Sequence, residues 1–233
     1  LPNLKLVQSL GAGVDHILLD PELPKNVPVA RLIDTELTRQ MVEYVIVAVL
    51  SRHRRINELR RAQLRREWQV VQPVPVCRSR IGLLGLGQIS RAASKVLLDL
   101  GFTVAAWTRT PRSVEGITGH HGPEGFTAIL KTSDILVCLL PLTPETDGIL
   151  DEAAFRTLPA DAYVINVARG AHLVDGDLLT AIDSGHLSGA WLDVFAEEPL
   201  PADHPFWTHP TIAVTPHLAG LTVPSSAAAQ VIG

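Results

Sequence analysis

Two cysteines among 233 residues are too few, and too differently placed, for a disulfide framework. Cys138 lies inside an apolar run and Cys77 in a polar connection, which points to a reducing compartment rather than a stapled secreted domain. Long apolar runs are missing as well. The best candidate, Val45 to Leu50, falls far short of the roughly 20 residues that a membrane span needs. The first residues lack the basic, apolar and small-residue order of a signal peptide, so a cytoplasmic protein is expected. There is no cationic excess either: 20 Lys and Arg stand against 24 Asp and Glu, a formal net charge of −4 that argues against a general nucleic-acid binder. The one methionine, Met41, falls within an expected helix and the chain starts at Leu1. No translation start is visible, and the sequence reads as part of a longer one. Internal repeats and low-complexity segments are absent.

What is present is concentrated between Arg80 and Ser90, RIGLLGLGQIS. Ile81, Leu83 and Leu84 read as a short buried strand, Gly85-Leu86-Gly87 as a tight turn, and Ser90 to Leu100 as an amphipathic helix. Bare amides at a helix N-terminus, opening from such a turn, suit a pyrophosphate. The third glycine of G-x-G-x-x-G is Ser90 here, small enough for close packing of helix on strand.

Further strands are expected at Phe102 to Trp107, Asp134 to Leu140, Ala162 to Val167, Gly189 to Phe195 and Thr211 to Val214. Helical patterns lie between them, notably Glu152 to Leu158 and Gly176 to Ser184. This alternation predicts an α/β fold of the Rossmann type, a doubly wound parallel sheet. The first 75 residues differ: a short strand at Leu4 to Ser9, then a helix from about Thr35 to Trp68, broken once. Its Met41 to Leu50 part is nearly all apolar and should be buried. Its later part carries Arg52, Arg54, Arg55, Arg60, Arg61, Arg65 and Arg66 against Glu58 and Glu67, and is read as a solvated face or subunit contact in preference to a phosphate site. The expected divisions are 1–75, 76–220 and 221–233.

Ligands of an open parallel sheet bind beyond the carboxyl ends of its strands. Those ends lead into the glycine turn, Thr108 to Arg112, Pro141 to Thr146, Ala168-Arg169-Gly170, Glu197-Glu198 and Thr215-Pro216-His217. Guanidinium, carboxylate and imidazole groups therefore converge on the edge expected to hold the dinucleotide. The other histidines, His16, His53, His120, His121, His172, His186, His204 and His209, show no metal-ligand spacing; they are read as surface or loop residues, and no metal is expected.

GAGVD, GLGQIS, PLTPET, NVARG, LDVFAEEP and TPHLAG occur in the order found in D-isomer-specific 2-hydroxyacid dehydrogenases. The chain resembles that family over nearly its whole length. It is most similar to the glyoxylate/hydroxypyruvate reductase branch, through SLGAGVDHIL, WTRT and DSGHLSGAWLDVF. The resemblance implies a catalytic set of Arg169, Glu198 and His217. Arg169 would grip the carboxylate and ketone of a 2-keto acid, with the amides around Ala12 and Gly13 taking the other carboxylate oxygen. His217 would protonate the carbonyl oxygen as hydride arrives at carbon. Glu198, preferred over Glu197, would orient His217 and stabilise its charged form. The product would be a D-2-hydroxy acid.

For the cofactor, the resemblance implies contacts from Gly85, Gly87, Gln88 and Ile89, from Pro141 and Thr146, and from Ala168, His217 and Gly220. Asp193 would meet the nicotinamide carboxamide, the alternative being a strand-end Asp that satisfies backbone amides. About 20 residues past the glycine turn, NAD-binding chains usually place an acid. Here Thr108, Arg109, Thr110 and Arg112 occupy that region and suit a 2′-phosphate, so NADP(H) is expected over NAD(H). The resemblance also implies a homodimer, with Trp68 near the contact, and a flavodoxin-like substrate domain that is only partial in this chain. The rival reading is a dinucleotide-sensing binding protein resembling dehydrogenase-like corepressors.

Overall fold

The computed structural model describes residues 3–11, 13–32 and 34–232, apart from the side chains of 16 and 229–232. A small parallel pair comes first, β1 (Val7–Ser9) beside β2 (Val29–Arg31), with the short helix α1 (Asp15–Leu18) between them. Two helices follow, α2 (Thr35–His53) and α3 (Ile56–Leu64). Asp34 caps α2 by accepting the amide of Glu36 at 2.9 Å, which fixes its start where the sequence placed it. The expected single break falls at Arg54 and Arg55, the latter at φ +56°. The helical run stops before Trp68, because Arg66 also turns left-handed, at φ +59°.

The main sheet holds β3 (Arg80–Leu84), β4 (Thr103–Thr108), β5 (Thr118–His121), β6 (Ile135–Cys138), β7 (Ala162–Asn166), β8 (Leu187–Leu192) and β9 (Ile212–Val214). All pairings are parallel, in the order β5-β4-β3-β6-β7-β8-β9. The order reverses direction between β3 and β6, the switch point that opens a crevice beyond the strand ends. The crossover helices are α4 (Gln88–Asp99), α5 (Gly122–Thr132), α6 (Glu152–Thr157) and α7 (Asp175–Asp183); α8 (Pro224–Ile232) ends the described chain. The sequence reading had no β5. That strand is TGHH, polar and largely exposed at the sheet edge, and leaves no apolar alternation to read.

Side chains alternate between two cores. Leu84, Leu136, Cys138 and Val164 point into one, with Phe155 of α6 and Leu178 of α7. Ile81, Leu83, Val137 and Ile165 point into the other, with Ala93 and Leu97 of α4 and Val45, Ala48 and Val49 of α2. Burial on both faces is why these strands read as continuous apolar runs. It also places the apolar part of α2 in the core of the main sheet. Ser90 is buried within α4, where the third glycine was expected. Both cysteines are free; burial pushes the Cys138 thiol up to about 12. No described helix is long and apolar enough to cross a membrane.

Candidate active site

The glycine turn after β3 is built by one unusual conformation. Gly85 sits at φ +98°, a region that L side chains rarely adopt, and a Cβ there would lie 3.1 Å from the Leu139 carbonyl oxygen. Gly87 then caps α4 in extended geometry, and a Cβ on it would meet nothing within 4 Å. The first turn of α4 has neither an acidic residue nor a side-chain cap, so its amides are left to an outside anion. They border a cavity of about 540 Å³ lined by Arg31, Leu86, Gly87, Gln88, Arg91, Ala92 and Arg112. Bare amides and three guanidinium groups fit the phosphates of a dinucleotide. Gln88 turns its amide to the Thr38 hydroxyl at 3.1 Å, tying α4 to α2.

Arg112 is the member of the Thr108 to Arg112 turn that lines this cavity. Thr108 spends its hydroxyl on the Thr110 carbonyl at 2.7 Å, while Arg109 and Thr110 are exposed. The turn carries no acid, but the next loop supplies one. Glu145 has its carboxyl held below the usual range, first by a hydrogen bond from Thr143 and in smaller part by Arg109. Sequence reading missed Arg91 and Arg31. Arg91 lies four residues past Gly87, on the same helical face, and that spacing could have found it. Arg31 arrives from β2 and left no local signal.

A second cavity, about 380 Å³, lies along the same edge and is lined by Asp15, Arg169, Gly170, Phe195, Ala196, Glu198 and His217. The three residues expected to act together do meet here. Glu198 spans the gap between two loops: Oε1 accepts the Phe195 amide at 2.9 Å and Oε2 lies 2.7 Å from His217 Nδ1. Glu197 is exposed and does not line the cavity. With Nδ1 engaged by the carboxylate, Nε2 is the nitrogen His217 has for a ligand.

Arg169 is fixed from several sides. Its Nε donates to both Asp15 oxygens, at 3.0 and 3.1 Å, and Nη1 donates to the Ala168 carbonyl at 2.7 Å. Gly13 backs directly on the guanidinium, since a Cβ there would lie 1.6 Å from Nη2. Ala12 lies outside the described residues. Gly170 allows the loop to touch the β8 end, where a Cβ would fall 1.8 Å from the Phe195 carbonyl carbon. Asn166 completes the loop, donating to the Arg169 carbonyl at 2.9 Å and accepting the Ala168 amide at 3.1 Å.

His172, read from sequence as a surface or loop residue, lies in the short turn that follows Arg169 and not at the surface. It is fully buried, and burial holds its imidazole below the ordinary histidine range. Nδ1 accepts the Arg169 amide at 3.2 Å and Nε2 faces the Pro141 carbonyl at 3.2 Å. One neutral tautomer, protonated at Nε2, satisfies both, and thereby pins Arg169 to the Pro141 loop. Asp15 and His172 are two further residues that the sequence reading gave no role in the site, although Asp15 closes the GAGVD motif.

Several expected cofactor residues have internal partners. Thr146 is nearly buried and donates to the Pro141 carbonyl at 2.8 Å, shaping its own loop. Gly220 makes room for α2: a Cβ would fall 2.9 Å from Met41 Sδ. Asp193 is fully buried, with Oδ1 taking the Thr215 hydroxyl at 2.7 Å and the Leu218 amide at 3.0 Å, and Oδ2 the Ala219 amide at 2.8 Å. The strand-end alternative describes this carboxylate as it stands. No group of three His, Cys, Asp or Glu side chains that could hold a metal occurs among the described residues.

A family model for D-isomer specific 2-hydroxyacid dehydrogenase, NAD binding domain, matches residues 46–219. The chain is 46% identical over 236 residues to glyoxylate/hydroxypyruvate reductase A of Yersinia enterocolitica, covering 99% of this chain and 75% of that protein. It is 44% identical over 234 residues to the protein of the same name from Serratia proteamaculans, with 98% and 75% covered. Among solved structures, a D-isomer specific 2-hydroxyacid dehydrogenase from Xanthobacter autotrophicus, in complex with NADPH and MES, superimposes with a TM-score of 0.96 at 43% identity, over 99% of this chain and 73% of that one. An NADPH-dependent glyoxylate/hydroxypyruvate reductase from Sinorhizobium meliloti, in complex with NADP and sulfate, gives 0.91 at 39% identity, over 95% and 71%.

Proposed function

The chain belongs to the D-isomer specific 2-hydroxyacid dehydrogenases, NAD(P)-dependent oxidoreductases, and from that premise we propose that it reduces small 2-keto acids of the glyoxylate and hydroxypyruvate kind to D-2-hydroxy acids, preferring NADPH. The observation that carries this reading is the 2.7 Å His217–Glu198 pair facing the same cavity as Arg169.

Each residue has a distinct task. Arg169, locked by Asp15 and the Ala168 carbonyl, offers its remaining donors to the substrate carboxylate and polarises the ketone. Phe195 and Ala196 line the cavity and suit only a short substrate chain. A nicotinamide dinucleotide, when bound, supplies the hydride. His217 gives a proton from Nε2 to the carbonyl oxygen, so that the alkoxide never accumulates; such general acid catalysis contributes roughly 100- to 10,000-fold. Glu198 holds the imidazole by Nδ1 and steadies the imidazolium before transfer. In the oxidative direction the same nitrogen takes the proton back.

The preference for NADPH rests on Arg112, Arg91 and Arg31 around the glycine turn. Arg112 would hold the 2′-phosphate, and the α4 amides would hold the pyrophosphate. A homodimer is part of the same proposal. Leu64, Trp68 and Val70 are 85%, 96% and 74% exposed just beyond and at the end of α3, an apolar group suited to a subunit contact. Sedimentation at micromolar concentration should give a dimer; a monomer alone would remove that element. The compartment proposed is the cytoplasm, in keeping with two free thiols.

The deciding experiment follows NADPH and NADH oxidation with glyoxylate and hydroxypyruvate, and assigns the product's configuration by chiral separation. Faster turnover with NADPH and a D-product from a prochiral keto acid are expected. Tight NADPH binding without turnover would overturn the reductase reading.

A further inference from the structure

His217 sits at φ +51°, in the left-handed region that residues with side chains enter at a cost. Something outside the turn must hold it there. A polar chain that starts on α2 does so. Trp191 Nε1 donates to the Tyr44 hydroxyl at 2.8 Å, and that hydroxyl meets Thr215 Oγ1, 171 residues further along the chain. Thr215 Oγ1 in turn donates to Asp193 Oδ1 at 2.7 Å. Asp193 then takes the amides of Leu218 and Ala219 on its side chain, and the His217 amide on its carbonyl at 2.7 Å.

The donors can be assigned in only one direction. An ionised Asp193 accepts, so the Thr215 proton is committed to it, and Tyr44 must supply the hydrogen between Tyr44 and Thr215. Burial raises the Tyr44 pKa, which keeps that phenol protonated. Tyr44 is not among the residues lining either cavity. Its hydroxyl meets Thr215 and Trp191 and lies close enough to Asp193 to feel that carboxylate.

We propose that Tyr44 is a positioning residue: through Thr215 and Asp193 its hydroxyl fixes the 215–219 turn that presents His217 to Glu198 and to the Arg169 cavity. This rests on assigning proton transfer to His217. It makes the aim of the general acid depend on a helix of the N-terminal segment. A slack turn would misdirect the proton without weakening dinucleotide binding.

Tyr44→Phe removes the hydroxyl alone. Expected is a fall in kcat with glyoxylate of about tenfold, the rate equivalent of one buried hydrogen bond, with KM for NADPH unchanged. Thr215→Val should lose as much, Thr215→Ser should recover most of it, and Tyr44→Phe combined with Thr215→Val should fall little further than either alone. A second readout needs no turnover. In protein labelled with ¹⁵N-histidine at fixed pH, the His217 Nδ1 resonance, assigned by its loss in His217→Gln, should shift in Tyr44→Phe and Thr215→Val and return in Thr215→Ser. Wild-type protein without turnover would overturn the reductase reading and leave this resonance to judge Tyr44. An unmoved resonance with wild-type kcat in both Tyr44→Phe and Thr215→Val would overturn the positioning role. So would equal losses of kcat and thermal stability in every variant, Thr215→Ser included.

Discussion

At the amino edge of the seven-stranded sheet, arginines close on the protein itself; at the carboxyl edge they face cavities. Arg80, at the start of β3, gives its amide and the Nε and Nη2 of its guanidinium to Asp134, at 2.8, 3.0 and 2.6 Å. Arg52 reaches the Asp161 carbonyl at 2.9 Å and lies 5.7 Å over the Tyr163 ring, and Arg61 reaches the Pro210 carbonyl at 2.5 Å. At the other edge, Arg91 and Arg112 border the glycine-turn cavity, and Arg169 borders the His217 cavity. Residue type therefore says little by itself. In a parallel sheet the carboxyl edge is where loops separate, and an arginine delivered there by a strand end has room for a ligand. The arginine-rich helical segment, read from sequence as a solvated face or subunit contact, sends Arg52 and Arg61 to the loops that enter β7 and β9 and so fastens α2 and α3 there.

The sharpest way to break this contrast is to remove the proposed acid. His217→Ala should lower kcat/KM for glyoxylate by roughly 100- to 10,000-fold while NADPH still binds. A loss under tenfold would mean that the proton comes from elsewhere. Next in size is the cofactor cavity. Arg112→Ala should weaken NADPH by about tenfold, as for one charge-assisted hydrogen bond, and leave NADH untouched. Equal losses for both cofactors in fluorescence titration would place Arg112 away from the 2′-phosphate.

A smaller effect is expected from acid, through His172. Burial lowers its folded-state pKa, so the unfolded chain binds a proton that the native state resists. Its contribution to stability is complete above the unfolded value near 6.5, and is lost as pH falls below that toward the folded value. Chemical denaturation from about pH 7.5 down to about pH 5.5, roughly one unit either side of an ordinary histidine, should show a decline that His172→Gln flattens. The same slope in wild type and variant would assign the acid sensitivity to other groups.

How legible these edges were in the sequence depends on what each residue answers to. The strands β3, β6 and β7 were readable because both faces are buried and Ile81 to Leu84, Ile135 to Cys138 and Ala162 to Asn166 are apolar almost throughout. β5 was not, since an exposed edge strand reading TGHH has no pattern to offer. Arg169, Glu198 and His217, the proposed catalytic set, were named from motifs that follow β7, β8 and β9, and the loops after those strands bring them to one cavity. Asp15 and Arg31 come from the N-terminal segment and meet the site only through tertiary packing. For His172 the reading of a surface or loop residue gave no hint of burial, because only the close approach of the Pro141 and Arg169 loops buries it.

The smallest effect belongs to the amino edge, and it completes the contrast. Arg80→Ala severs the contact with Asp134, yet the two side chains are 46% and 35% exposed. Solvent already screens such a pair, so the expected stability loss is about 1 kcal/mol or less. NADPH affinity and kcat should stay at wild-type values, because β3 places the glycine turn at its other end, fixed there by Gly85 donating to the Trp107 carbonyl at 2.9 Å. Thermal unfolding measures the first quantity and steady-state kinetics the second. A large kinetic effect from so distant an ion pair would mean that strain runs the length of β3, and the two edges would then no longer be separable.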